Sequence, residues 1–324
     1  MTALQTIAVA FAMFSALPMP QFAWNEKNMR YALCAFPLIG VVIGALWCLC
    51  GALPLRDFAR AAGFCLMPVW VTGGIHLDGY ADTCDALSSY GDTAKKLEIL
   101  KDPHCGAFAV IRLCSYFIAY LALCVCVQFT PRVGVLWTLA LVGERALSGL
   151  AVAAFPMAKN TGLAHTFATA ADKTNVRRVL TVLCVLLGAA LVALGGWALV
   201  LAACAVFVRY YHAAKNQFGG TTGDLAGWFL QKCEIWMLAA LAACQMDYSG
   251  SVMGTSRELH MKYTAFNTTE AQALDLEAGD EIAVSVVSQE GAVSIAIQKE
   301  GAQPIYQGED LTTQDFTVAV EEAG

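Results

Sequence analysis

The chain has 324 residues, 58% of them hydrophobic and only 14% charged, with a mean hydropathy of +0.57, which excludes an ordinary soluble protein. Its net charge of −6 is unevenly divided: residues 1–249 carry 17 Lys/Arg against 13 Asp/Glu, and residues 250–324 carry 3 against 13. An acidic tail of this kind argues against nucleic-acid binding.

In chain order, residues 3–17 form an apolar run too short to span a bilayer comfortably, with neither an n-region charge nor a cleavage site before a soluble domain. This run reads as an interfacial or re-entrant helix rather than a signal peptide. Membrane spans of roughly 20 residues are predicted near 31–53, 106–127, 133–153, 178–195, 197–214 and 225–246, with a shorter one over 61–75. Polar segments interrupt them. The longest in the first half covers 76–105 and contains a helix-forming stretch, Lys95 to Ile99, that ends at Asp102-Pro103. Two others cover 156–178 and 209–224.

A composition shift at Asp247 to Ser251 marks a second unit. Beyond it the apolar residues alternate with period two, at Ile282, Val284 and Val286 and at Val293, Ile295 and Ile297, with Glu290-Gly291 between them as a turn. Phe316, Val318 and Val320 read as a closing strand. The expected fold class is an all-α polytopic membrane protein, residues 1–249, followed by a small C-terminal all-β domain, residues 250–324. All 13 cysteines precede residue 250, mostly inside apolar runs and without a CxxC pair, so they read as small buried hydrophobes. Cys84 and Cys105, which lie in polar motifs, are the two that stand apart.

The chemistry concentrates in Gly73-Gly74-Ile75-His76-Leu77-Asp78-Gly79-Tyr80-Ala81-Asp82-Thr83-Cys84-Asp85. Offsets of four and three stack Asp78, Asp82 and Asp85 on one helix face. No Lys or Arg interleaves them to offset their repulsion, and such a cluster beside a membrane segment is costly unless it is used. Hard oxygen ligands at this spacing suit Mg²⁺, which in turn binds phosphate oxygens. Gly73, Gly74 and Gly79 permit close approach of backbone or ligand, and His76 adds a further polar group.

Four other places carry candidate residues. Lys101, with Asp102, precedes a proline turn and Gly106, where it reads either as a snorkelling interfacial lysine or as a phosphate-binding cation. Gly219-Gly220-Thr221-Thr222-Gly223-Asp224 lacks the Lys-Ser/Thr of a P-loop, yet its hydroxyls and amides at a helix start can bind anions, while Asp224 can instead cap that helix. Glu234 lies inside an apolar run, where a carboxylate is expensive. Arg145 interrupts another such run beside Glu144; sequence neighbours point to different sides of a helix, so Arg145 is expected to reach a phosphate in an inner cavity instead.

At these motifs the chain resembles the cobalamin synthase family, the adenosylcobinamide-GDP ribazoletransferases. The resemblance includes Phe14 to Pro20, Phe36-Pro37-Leu38-Ile39-Gly40, the Gly73 to Asp85 segment, Glu98, Lys101-Asp102 through Gly106, Arg145, Phe155-Pro156 and Gly220 to Asp224. It covers about residues 1–246 and leaves the acidic tail outside. The chain departs from the family pattern at Ala86, where glycine is usual, and at Glu144, where serine often precedes the arginine.

The resemblance implies a multi-pass enzyme of the cell membrane with its site facing the cytoplasm. It would join adenosylcobinamide-GDP to α-ribazole or its 5′-phosphate, release GMP and use Mg²⁺. On this reading Asp78, Asp82 and Asp85 hold the metal, Lys101 and Arg145 stabilise phosphate charge, and one of the carboxylates, such as Asp82, or His76 accepts the hydroxyl proton. Substrate would be bound by Gly74, Gly79, Asp102, Gly106, Gly220, Thr222, Gly223, Asp224 and Glu234. Expected partners are the two substrates, the lipid bilayer and other cobalamin-assembly enzymes, with no nucleic acid. Two alternatives stand beside this reading. A CDP-alcohol phosphotransferase would carry Arg where Asp82 stands, and a cation-coupled transporter would show symmetry between two halves, of which the sequence has none.

Overall fold

A computed structural model describes residues 2–244, 248–266, 269–288, 293–299 and 301–323. The chain divides into two units, Met1–Gln245 and Met246–Gly324. The first is helical: α1 (Thr2–Phe14), α2 (Glu26–Met29), α3 (Ala32–Ala35), α4 (Pro37–Ala52), α5 (Asp57–Thr72), α6 (Ile75–Ser88), α7 (Thr93–Ile99), α8 (Ala107–Cys126), α9 (Pro131–Ala154), α10 (Leu163–Ala170), α11 (Lys173–Ala193), α12 (Trp197–Phe218) and α13 (Gly223–Ala243).

Local chemistry sets several of these boundaries. Thr130 accepts a hydrogen bond from the Val133 amide, with Pro131 at the first helical position of α9, and Asp172 accepts from the Asn175 amide at the start of α11. Thr222 does the same for Leu225 and starts α13. Between α5 and α6 the chain turns by 95° through two consecutive glycines, Gly73 at φ 64° and Gly74 at φ 81°, both in the left-handed region that side chains disfavour.

Among the described residues, five segments are long and apolar enough to cross a membrane: Ala32–Ala52, Ala107–Cys126, Pro131–Ala154, Lys173–Ala193 and Trp197–Phe218. The bent α5–α6 pair passes the same test when taken together. α1 is apolar and short, as the sequence suggests. The span expected over 225–246 is a helix but is not among these candidates. Gln231, Lys232 and Glu234 lower its hydropathy, and it can carry them because it runs through the bundle interior, with Leu225, Phe229, Leu230, Met237 and Leu238 almost fully buried. Aromatic stacks tie helix pairs of the bundle. Trp47 stacks on Phe64 at 3.7 Å between α4 and α5, and Tyr210 stacks on Phe229 at 5.1 Å between α12 and α13.

The second unit contains β1 (Tyr248–Gly254), β2 (Leu259–Phe266), β3 (Glu281–Val286), β4 (Val293–Gln298), β5 (Pro304–Leu311) and β6 (Gln314–Ala319). They pair antiparallel as β1–β2, β3–β6 and β4–β5. The alternating residues expected to be strands are strands, with alternating burial. However, β3 and β4 do not pair with each other across the intervening turn: β3 takes β6, so that Val284 lies opposite Phe316. The Glu290-Gly291 turn lies outside the described residues.

Candidate active site

The left-handed Gly73-Gly74 turn delivers α6 with Asp78 in its first helical turn, where the amide dipoles favour an anion. Asp78 is exposed, and Asp82 and Asp85 are half-buried on the same face. Two close approaches bring other elements to that face. A Cβ at Gly79 would lie 2.8 Å from the Asp224 Cα and 2.9 Å from its carbonyl oxygen, so only glycine lets α6 touch the start of α13. At the start of α8, a Cβ at Gly106 would collide with the Asp85 carboxylate, which rests against that backbone. Asp224 thereby joins the cluster: the Asp82 carboxylate is within Coulombic reach of Asp78, Asp85 and Asp224.

A second backbone junction brings in a residue that the sequence reading did not single out. The Thr221 amide donates to the Pro156 carbonyl at 2.8 Å, and the Ala158 amide donates to the Thr221 carbonyl at 2.9 Å, a short parallel bridge centred on Met157 and Thr221. Gly220 makes it possible, since a Cβ there would lie 2.6 Å from both the Ala158 nitrogen and the Pro156 oxygen. The bridge sets Lys159 within Coulombic reach of Asp82, Asp224 and Lys101. Burial, assisted by Lys101, draws the Lys159 ammonium below the usual lysine range although Asp224 and Asp82 oppose the shift. Burial raises the Asp224 carboxyl, against the opposing effects of Lys159 and the Thr222 hydroxyl, which donates to Asp224 Oδ2 at 3.3 Å. Nothing local in the segment around Lys159 marks it; only the bridge to Thr221 does.

Beside the carboxylates lies a cleft of about 550 Å³ whose walls include Gly74, Asp78, Asp82, Cys105, Leu113 and Phe117. A Cβ at Gly74 would meet no side chain or distant backbone within 4 Å, so a ligand can approach this backbone. Cys105 is exposed on this wall, whereas Cys84 is buried beside Tyr80. Asp102 is exposed and engaged with its own turn, its Oδ1 accepting from the His104 amide at 2.9 Å and lying 2.8 Å from His104 Nδ1.

Several predicted residues lie elsewhere. His76 is enclosed in helix packing, edge-on to Phe36 at 5.7 Å and with its backbone against Gly227, because an offset of two turns it away from the Asp78 face. Arg145 is fully buried. Its guanidinium contacts Glu144 and lies 3.1 Å from both Glu234 Oε1 and the Leu141 carbonyl. The expectation that Glu144 and Arg145 cannot meet is thus corrected: the long arginine side chain folds back one turn along α9, which brings its tip to Glu144 and to the Leu141 carbonyl. Glu234 borders a cavity of only about 10 Å³, enough for no more than one water. Within the Gly-rich loop, Thr222 caps α13 and Thr221 contacts the Tyr210 hydroxyl, while Gly223 is exposed and a Cβ there would meet only the Ala164 Cβ, at 3.7 Å.

Among the described residues no three His, Cys, Asp or Glu side chains close around one point as a finished metal site. The donor chemistry nevertheless fits a hard cation. Four carboxylates share one region with Lys159 as a nearby positive charge, and Mg²⁺ commonly takes one or two carboxylates and keeps its waters.

The family model described as cobalamin-5-phosphate synthase matches residues 6–242. A protein of Lachnoclostridium phytofermentans called adenosylcobinamide-GDP ribazoletransferase is 44% identical over 249 residues, covering 74% of this chain and 93% of its own length. Proteins of the same name from Pseudomonas putida and Clostridium botulinum are 36% and 29% identical, covering 72% and 74% of this chain and 97% and 96% of their own lengths. No solved structure matches the chain.

Proposed function

Since the chain belongs to the cobalamin-5-phosphate synthase family, we propose that its cleft carries out the adenosylcobinamide-GDP ribazoletransferase reaction with the carboxylates of α6 and α13 at its centre. A hydroxyl of α-ribazole, or of its 5′-phosphate, attacks the phosphorus that bears the cobinamide. One P–O bond forms there while the P–O bond to the GMP leaving group breaks, and the hydroxyl proton passes to a base. The product is adenosylcobalamin or its phosphate.

The observation that carries this reading is the convergence of Asp78, Asp82, Asp85 and Asp224 with Lys159 beside an open cleft. Asp78, Asp82 and Asp224 are the residues to hold Mg²⁺, with Asp85 behind them; when bound, the ion would neutralise charge on the diphosphate. Lys159 and Lys101 supply positive charge to phosphate oxygens at the same place. In this proposal Asp82, which borders the cleft, accepts the hydroxyl proton, and the buried His76, which lies outside its walls, does not. The backbone at Gly74 is open to close approach by ligand. Arg145 serves a structural role in this scheme, joining α9 to α13 through Glu234. Substrates of this polarity come from the aqueous phase, and we place the cleft on the cytoplasmic side of the cell membrane.

Membranes containing the full chain, supplied with adenosylcobinamide-GDP, α-ribazole and Mg²⁺, are expected to release GMP in step with cobalamin formation. Absence of both products from correctly inserted protein would overturn the reading.

A further inference from the structure

On the opposite side of α6 from Asp78, three cations gather without an acid. Arg112 on α8 and Arg209 on α12 are exposed, Lys232 on α13 is half-buried, and Lys232 lies within Coulombic reach of both arginines. Among the described residues no carboxylate forms an ion pair with any of the three. Aromatic rings hold two of them: the Lys232 ammonium lies 5.5 Å from the Tyr80 ring centre, and the Arg209 guanidinium 5.9 Å from that of Trp228. Three like charges converging on the wall of an apolar bundle repel one another unless an anion joins them.

Position identifies the class of anion. The N-terminus of α8 touches Asp85 and that of α13 touches Gly79, while α12 runs the other way and ends just before the Gly-rich loop. Measured along each helix from that shared end, the three cations lie roughly 8–14 Å down. Long Arg and Lys side chains can carry their charge along an apolar helix surface toward a headgroup layer. Exposed apolar side chains flank the cations on the same helices, with Ile111 and Ile118 on α8, Leu201 and Val208 on α12 and Trp236 on α13, one turn beyond Lys232. The spans containing Arg112 and Arg209 are each only 22% buried in the protein, so they face lipid. None of the three cations belongs to the walls of the catalytic cleft. Positive charge set within exposed, lipid-facing apolar surface suits an amphiphilic anion such as a phospholipid.

We propose that Arg112, Arg209 and Lys232 form a binding site for the phosphate of an anionic phospholipid, whose acyl chains lie along Ile118, Leu201 and Trp236. The site is distinct from the catalytic cleft and does not depend on the reaction assigned to it. Basic pockets between membrane helices bind anionic headgroups by this combination of charge and apolar contact.

The test uses the full chain purified from mixed phosphatidylglycerol and phosphatidylcholine nanodiscs into mild detergent, with retained lipid identified by native mass spectrometry. Wild type is expected to keep phosphatidylglycerol in preference to phosphatidylcholine. Arg112→Gln and Arg209→Gln are each expected to lower that retention about fivefold, while Arg209→Lys keeps most of it. Lys232→Gln extends the series, and an unchanged unfolding temperature in detergent separates lost binding from lost fold. Equal retention of both lipids by wild type, or undiminished retention in the folded Arg112→Gln/Arg209→Gln variant, overturns the proposal. Displacement of the bound lipid by millimolar inorganic phosphate would reassign the site to a soluble phosphate and overturn the lipid assignment as well.

Discussion

Asp82 occupies the middle of the carboxylate face, borders the cleft and lies within Coulombic reach of the other three carboxylates. Asp82→Asn keeps the shape of the side chain and removes its charge. Turnover is expected to fall about a hundredfold or more while membrane insertion is unaffected, and near-normal GMP release at limiting Mg²⁺ would remove Asp82 from the metal set. Lys159 offers a finer test, because its charge opposes the upward shift that burial imposes on Asp224. Lys159→Met withdraws a cation that favours the ionised carboxylate, so Asp224 protonates at higher pH. If the ionised cluster is the active form, the acid limb of the activity profile moves toward neutrality. Lys159→Arg should restore it, and an acid limb that does not move in the methionine variant would separate Lys159 from the cluster. Asp78, Asp82 and Asp85 were legible in the sequence because helical spacing alone puts them on one face. Lys159 was not, since its place depends on backbone hydrogen bonds between two distant loops. Arg145 misled for a related reason: its partner Glu234 comes from another helix.

Glycines determine how the site-bearing elements meet. Where α6 touches the start of α13, a methyl group at Gly79 would lie 2.8 Å from a backbone carbon that cannot rotate away. Gly79→Ala is therefore expected to lower stability by about 1–3 kcal/mol and to reduce activity by moving Asp224 away from Asp82. Gly188→Ala on α11, with nothing within 4 Å, serves as a control and should leave the thermal unfolding of the detergent-solubilised protein nearly unchanged. The same comparison separates two glycines of the Gly-rich loop. Gly220→Ala forces apart the Pro156–Thr221 junction and should reduce yield, whereas Gly223→Val has room and should fold. A folded Gly223→Val protein with weakened apparent affinity would assign that exposed backbone to substrate, and unchanged affinity for both substrates would leave it a turn. At this scale hydropathy located the helices well but not the surroundings of each one. It did not show that α13 turns most of its apolar side chains toward neighbouring helices, which is what lets it carry Gln231, Lys232 and Glu234. It also missed that Gly73-Gly74 turns α5 into α6 by 95°, since single-residue backbone geometry leaves no trace in a hydropathy window.

Across the whole molecule, the family match ends at residue 242 and the first unit at Gln245, while the relatives of Lachnoclostridium phytofermentans and Pseudomonas putida are covered over 93% and 97% of their own lengths by roughly three quarters of this chain. The acidic strands therefore lie beyond the part of the chain that the family accounts for. Each residue placed in the reaction, from Gly74 to Asp224, belongs to the first unit, and so does each helix that packs against it. The β unit has its own antiparallel pairings and small buried residues, Val286, Leu311 and Val320, as a separately organised segment does. Its period-two alternation was readable from sequence, but its pairing was not, because strand order depends on contacts that alternation does not encode. Ending the chain at Ser249 is thus expected to leave an inserted enzyme whose rate of GMP release, normalised to protein in the membrane, stays within about twofold of the full chain. A truncated protein that accumulates and inserts normally yet forms no product would make the acidic strands part of the catalytic unit, and the division near residue 245 would then describe compactness without independence.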